Sequence, residues 1–304
     1  MRVRVRGGYV RQILREGQKI EKAVGVNPYK LGFIASSDTH ISAPGYTDED
    51  SFVGHGGGGG DLSVAGIPDK PEYNPGGLAV IYAEQNSRES LFAGLKRKET
   101  YGTSGPRIQL RFFGGWDYPE DLCQSPELVK TAYAGGVPMG SDLAASKTTS
   151  GDSRKAPSFV VKALKDPGTP AQAGTDLQHV QIIKGWVNAK GEHNEQRYEV
   201  AGNKENGAKV DINTCQPSGQ GAKSLCSVWT DPDFDADQHA WYYARVLENP
   251  TCRWTQHICV ANKISCDDPA GPPKGFESCC AADHQPVIQE RAWSSPIWYT
   301  PKKS

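Results

Sequence analysis

The feature that most limits what this chain can fold into is a change of period at Pro106. Before it, apolar residues recur at helical spacing or gather in short apolar runs. After it, they alternate with polar residues over short stretches bounded by turn formers. Arg107-Ile108-Gln109-Leu110-Arg111-Phe112 opens the second regime with in/out alternation. Ser158 to Leu164, Val180 to Val187, Arg197 to Val200, Ser227 to Thr230, Trp241 to Leu247 and Ile297 to Thr300 read as further strands, with Asn188-Ala189-Lys190-Gly191 as a hairpin connection. Short strands, turn-rich spacers and almost no helical pattern predict a β-sandwich-like region over 107–304.

Residues 1–106 read as an α/β part. Tyr9 to Val24 is predicted to be a helix, with Val10, Ile13, Leu14, Ile20 and Val24 near helical spacing and Gly25 as its stop. Leu31 to Ala35 and Leu78 to Ala83 have the length and residue types of buried strands. Asn86-Ser87-Arg88-Glu89 has the form of a capping box, opening a helix to about Lys98 with Leu91, Phe92 and Leu95 on one face. The fold class is therefore α/β plus all-β. Ile41 to Gly77 is a long loop containing Gly54-His55-Gly56-Gly57-Gly58-Gly59-Gly60-Asp61. A loop of that length is usually functional or disordered, and it reads as a mobile flap. It lacks the Gly-Lys-Ser/Thr ending and the following helix of a phosphate loop.

A formal net charge of −1 over 304 residues gives no general electrostatic reason to expect nucleic acid or membrane as a partner. No apolar run approaches the roughly 20 residues of a spanning helix. The basic opening Arg2-Val3-Arg4-Val5-Arg6 is followed by no apolar stretch of a signal peptide. Seven of the eight cysteines lie after residue 214, and none form Cys-x-x-Cys. That pattern predicts disulfides made in an oxidising compartment, with Cys279 and Cys280 taking different partners and the rest of the connectivity open. Cysteines that favour export, without an export signal, lead to the expectation that an N-terminal portion is missing.

Two residues carry the sharpest chemical signal. Asp38 and His40 follow the apolar run Leu31–Ala35, two apart, so in an extended backbone they leave on one side. Oxygen and imidazole together suit zinc, manganese or iron better than calcium. Strand C-terminal ends are where α/β units gather functional groups. His55 on the glycine-rich loop is a possible additional ligand, although a solvated histidine is the simpler assignment. Arg253, beside Trp254, is a candidate contact for an anionic substrate; a buried structural pair is the equal alternative. Asp231-Pro232-Asp233-Phe234-Asp235-Ala236-Asp237 lacks the Gly and Glu of a calcium loop and reads as an acidic turn.

Gly32-Phe33-Ile34-Ala35-Ser36-Ser37-Asp38-Thr39-His40, Gly77-Leu78-Ala79-Val80-Ile81-Tyr82-Ala83 and Glu99-Thr100-Tyr101-Gly102-Thr103-Ser104-Gly105-Pro106 occur in the order found in a large bacterial family of uncharacterised exported proteins. The likeness continues through Gly136–Gly140, Trp241–Trp254 and Gln289–Trp298, so it covers nearly the whole chain. That family resembles the PHP (polymerase and histidinol phosphatase) metallohydrolases, in their carbaryl-hydrolase-like branch. The resemblance implies a (β/α)-barrel-like domain with divalent metals at the strand ends. Asp38 and His40 match its last motif, Asp-x-His. The first motif, His-x-His, has no counterpart among the seven histidines, and the middle motifs are absent. The chain therefore resembles the C-terminal portion of such a barrel followed by the β-rich region, with an incompletely coordinated divalent metal.

Two functional expectations follow. One is a metal-dependent hydrolase of phosphate or carboxyl esters acting on a small-molecule substrate, periplasmic or secreted in its full-length form. The other is a non-catalytic β-sandwich module, binding a partner or a glycan through exposed aromatics, or an inactive fragment.

Overall fold

The computed structural model describes residues 9–56, 66–146, 155–170, 173–188 and 190–301. Among these, the helices are α1 (Val10–Val24), α2 (Arg88–Arg97), α3 (Leu128–Gly135) and α4 (Trp254–Ala261). The strands run β1 (Leu78–Ile81), β2 (Thr100–Thr103), β3 (Gln109–Gly115), β4 (Gly136–Pro138), β5 (Asp142–Ala144), β6 (Ser158–Leu164), β7 (Leu177–Val187) and β8 (His193–Gly202). They continue as β9 (Lys209–Val210), β10 (Pro217–Ser218), β11 (Ser224–Thr230), β12 (Ala240–Glu248), β13 (Thr251–Cys252), β14 (Val287–Ile288), β15 (Arg291–Ser294) and β16 (Ile297–Thr300).

Two sheets face each other. In the larger, β12 is central: β7 lies along one edge, β15 and β16 share the other, and the order continues through β2 to β1 and through β5. The smaller sheet has the order β11-β6-β3-β4. Strand alternation explains the layers. On β12, Tyr242, Ala244 and Val246 point between the sheets, where they meet Phe112, Phe159, Val161 and Ile182 in the main core. Trp241 and Tyr243 point the other way and pack with Ile183, Trp298 and Leu14 of α1. Val160 and Phe113 likewise leave the small sheet outward to meet Leu128 and Ala132 of α3. The result is helix, sheet, sheet, helix. Each fully buried aliphatic or aromatic side chain in it contributes about 1.5–3 kcal/mol. Gly185 is required where β7 passes the Trp241 indole, because a Cβ there would lie 2.0 Å from the ring.

Strands assigned from alternation fall inside β6, β7, β8, β11, β12 and β16, and the first helix ends at Gly25, φ 82°. The hairpin after Val187 joins β7 to β8. The β-rich, sandwich-like reading is therefore met. A (β/α) barrel is not: the described strands pair antiparallel except β16 with β5, and they close no barrel.

Three local expectations are corrected. Leu31–Ala35 is extended but joins no ladder, and Leu31 and Ile34 are exposed. It crosses the face of β2, where Gly102 has no Cβ to obstruct Ile34 and Ala35. Its polar backbone is satisfied by hydroxyls instead: Ser295 Oγ accepts from Phe33 N–H (2.7 Å), and Thr100 Oγ1 donates to Phe33 O (2.8 Å). Leu78–Ala83 forms an edge strand that is half-buried. The helix after it is capped by Ser87, whose side chain accepts from Ser90 N–H, and Phe92 and Leu95 face outward. Gly94 is what brings α2 against Ile81 and Tyr82. The larger sheet draws strands from both sides of residue 106, since β2 pairs with β15.

All eight cysteines are paired: Cys123–Cys226, Cys215–Cys252, Cys259–Cys279 and Cys266–Cys280. Neighbours Cys279 and Cys280 take different partners, as expected. Four disulfides are the chemistry of an oxidising compartment, consistent with a periplasmic or extracellular location. No helix among the described residues is long and apolar enough to cross a membrane.

Candidate anion-binding cleft

β13 and β14 pair as a separate two-stranded ribbon, and β14 with the residues flanking β13 walls a polar cleft of about 530 Å³. Arg253 and Arg291 line it with Glu72, Asn74, Gln285 and Gln289. Arg253 is fixed from several directions. It is the N-cap residue of α4, its N–H donates to Pro286 O (2.9 Å), and Cys252 beside it is tied to Cys215. Its guanidinium donates to Asn74 Oδ1 (3.1 and 2.8 Å) and to Tyr73 O (2.8 Å). Arg253 is 9% exposed, and among the described residues it forms hydrogen bonds only to neutral partners. Arg291, at the start of β15, donates from Nε to Gln289 O (2.8 Å). Its two terminal nitrogens have no partner among the described residues. Two planar guanidiniums in one cleft can grip a carboxylate or phosphate with paired, charge-assisted hydrogen bonds. Among the residues lining the cleft, Glu72, exposed at the rim, is the one carboxylate beside the two arginines.

Beneath the cleft lie two buried carboxyls. Glu49 accepts from Trp254 N–H (2.5 Å), and Glu290 accepts from Ser104 Oγ. Their remaining oxygens, Oε1 of each, are buried without another partner, and the two side chains hydrogen-bond each other. Burial, then the facing Glu290 carboxyl, raises the Glu49 pKa; burial raises that of Glu290 against the hydrogen bonds from Glu49 and Ser104. Burial of the two facing carboxyls thus favours the protonated form of each, with Arg253 nearby working against it. This latch holds the loop that follows Ile41 onto the sheet.

The expected metal residues lie beyond that loop. Asp38 is exposed and sits at φ 54°, which ends the extended run and with it the argument that Asp38 and His40 leave on one side. His40 is exposed, but its N–H donates to His55 O (2.7 Å), so the structure does bring His40 and His55 together through the backbone. His55 itself is buried, correcting the solvated reading. Its Nδ1 lies 2.7 Å from Asp69 Oδ2, which also accepts His55 N–H at 2.9 Å. Burial works against the Asp69 anion, yet these bonds and that from Lys70 N–H hold its pKa below the ordinary value. The ring stands edge-on to Phe52 and Tyr73, and Phe52 in turn meets Trp254 at 5.0 Å. His55 is thus one aromatic layer from the arginine cleft. Among the described residues, no group of three or more His, Cys, Asp or Glu is placed to hold a metal ion. Even a single catalytic zinc uses three protein ligands, and among the described residues no third ligand joins Asp38 and His40. The glycines after Gly56, read as part of a flap, lie outside the described residues up to Gly66.

Arg253 was legible as a guanidinium beside a tryptophan. Arg291, Glu49, Glu290 and Asp69 were not singled out. Only the Glu290-Arg291 charge pair opening an alternating strand gave a local hint.

Fold and site together define a disulfide-stapled β-sandwich domain with an arginine-lined polar cleft at its edge. The chain belongs to the family described as "Protein of unknown function (DUF3604)", whose model matches residues 1–301. No match was found among curated proteins or among solved structures.

Proposed function

We propose that this chain recognises an anionic small molecule, of the phosphate- or carboxylate-ester class, through Arg253 and Arg291. The observation that carries this reading is a nine-tenths buried arginine held by neutral groups at the wall of a cleft, beside a second arginine with unsatisfied terminal donors. A buried cation that spends its hydrogen bonds on fixing its own orientation is preorganised for an incoming anion. The chain acts as the binding module of the two expectations above. Its ligand class is the one that ester hydrolysis would require. No hydrolytic step is assigned to Asp38 and His40, because among the described residues no further ligand joins them.

Isothermal titration with phenyl phosphate and benzoate, against neutral phenol as control, tests the reading. Arg291→Gln is expected to weaken binding roughly tenfold, equivalent to about 1.4 kcal/mol, with an unchanged melting temperature. Arg253→Lys should do the same by losing the paired geometry. Absence of binding at millimolar ligand, or an unaffected Arg291→Gln variant, overturns it. The chain is also expected to turn over chromogenic phosphate and carboxylate esters little or not at all. Robust turnover that needs metal and is lost in Asp38→Ala would restore the metallohydrolase reading.

A further inference from the structure

The cleft does not end at Arg291. On the larger sheet, the face away from the sandwich core is set by register. Arg291 on β15 is paired with Leu247 of β12, and Trp293 with Arg245. Across β12, Arg245 is paired with Gln181 of β7 and Tyr243 with Ile183. On β8, Glu199 is paired with Gln181 and Arg197 with Ile183. Partners in register share a face, so Arg291, Arg245 and Arg197 stand with Trp293 on the side of the sheet that α1 covers over Tyr243 and Ile183. They advance diagonally, each displaced along the strands from the last. Strand spacing and rise put neighbouring members of this row about 8 and 12 Å apart at Cα. Lys204 lies just past the end of β8, near His179 of the same face.

The charges on this face are unevenly matched. Glu195 is held by Arg11 (2.5 Å) and Arg15 (3.3 Å), while Glu199 takes Gln181 (2.6 Å) and stands 3.6 Å from His179. Arg245 donates to the neutral Gln181. Among the described residues, Arg197, Arg245, Arg291 and Lys204 have no carboxylate within ion-pair distance. Burial first, and then the like charges of Arg11, Arg291 and Arg197, hold the Arg245 pKa below its ordinary value, as cations crowded on one surface must.

We infer that this face is a track for a linear glycan bearing carboxylate or sulfate groups, with one anion seated in the Arg253–Arg291 cleft and later ones on Arg245 and Arg197. The inference rests on the cleft's reading as an anion site. Three features favour such a glycan over a nucleic acid. The cations are sparse and interleaved with Glu72 and Glu199, which can accept from sugar hydroxyls but oppose a duplex carrying one charge per about 1.7 Å. Trp293, packed against the Leu14–Tyr243 cluster but partly exposed beside Arg245, leaves part of an indole at the surface for a sugar. Four disulfides suit a compartment where acidic polysaccharides are met.

The test compares phenyl phosphate, monomeric galacturonate, a galacturonate hexamer, a heparin-derived hexasaccharide, a neutral maltohexaose and a short DNA duplex by titration calorimetry at two salt concentrations. The expected result is that one or both acidic hexamers bind at least roughly tenfold tighter than the monomer, as linked contacts predict, while maltohexaose does not bind. Which hexamer binds separates carboxylate from sulfate. Arg197→Glu and Lys204→Glu, both at exposed positions, should weaken the hexamer about five- to tenfold and leave phenyl phosphate binding and the melting temperature unchanged. A hexamer no tighter than the monomer, or indifferent to Arg197→Glu, overturns the track and leaves the cleft standing. Loss of phenyl phosphate binding from the wild type overturns the cleft itself. DNA binding as tight as the better hexamer would make the face a generic polyanion surface and overturn the glycan assignment.

Discussion

Glu248 shows how much a single buried acid controls in this protein. It ends β12 facing Glu290 and Asp166, and its Oε1 is buried without a partner. Burial, then Glu290 and Asp166, push its pKa up to about 9. The folded state therefore keeps a proton that the unfolded chain releases above the ordinary glutamate range. The associated stability is intact in acid and is lost as pH rises towards 9. Glu248→Gln, which cannot titrate, is expected to match the wild type near pH 4 and to be more stable by about 1–3 kcal/mol at pH 8. Urea unfolding across that range checks the trend; a constant offset would refute it. Lys184 is the opposite case. It is buried against Asp231 (2.6 Å), which also accepts Tyr242 Oη–H (2.7 Å), and it donates as well to Asp233 O (2.7 Å). The acidic turn is thus a counter-charge for a cation inside the sheet. Lys184→Met should cost about 3–5 kcal/mol, because it strands a buried carboxylate, and adding Asp231→Leu should recover a good part of that loss. The same unfolding curves decide it.

Among the elements, α4 depends most on its staples. Its sequence, Trp254-Thr255-Gln256-His257-Ile258-Cys259-Val260-Ala261, is rich in β-branched and aromatic residues and has weak helix propensity. Cys215–Cys252 fixes the residue before its N-cap, and Cys259–Cys279 holds its last turn. Reduction should therefore loosen the wall that carries Arg253 before it unfolds the sandwich. Anion binding is expected to fall on treatment with a phosphine reductant while far-ultraviolet circular dichroism keeps its strand signal. Loop closure adds a second expectation. Cys123–Cys226 spans 103 residues and Cys266–Cys280 only 14. Replacing the first pair by serine should cost about 4–5 kcal/mol, and the second about 3 kcal/mol. Equal losses would show that native packing, rather than chain closure, sets the effect. The outward Phe92 and Leu95 of α2 carry none of this stability, since Gly94 makes the close contact.

At the scale of the whole molecule, the larger sheet binds the beginning of the chain to its end. β1 and β2 pair through β15 to β12, and the crossing segment Leu31–Ser36 is held by Ser295 and Thr100. A chain starting at residue 107 would uncover the edge of β15 and the outer face of the sheet, including Tyr243 under Phe33. Such a fragment is expected to aggregate or to lack a cooperative transition, whereas residues 9–304 should unfold cooperatively. A soluble, cooperatively folding 107–304 fragment would show the two parts to be independent. Much of this architecture was readable beforehand. Alternation placed β6 and β16 to the residue, and helical spacing with Gly25 placed α1, because which face of an element is buried is written in its own period. The paired cysteines and their oxidising chemistry were also legible. Other features depended on residues distant in sequence. An apolar run is extended whether it joins a ladder or crosses a sheet, and only Gly102, Thr100 and Ser295 decided that Leu31–Ala35 crosses. His55 is buried because Asp69 meets its ring, and the Glu49 and Glu290 carboxyls face each other because the loop folds back on the sheet. The sequence by itself determined which side chains avoid water; only the tertiary structure decided which charges face one another. Burial preference is a property of each residue and its near neighbours, whereas pairing between charges exists only once the chain has closed on itself.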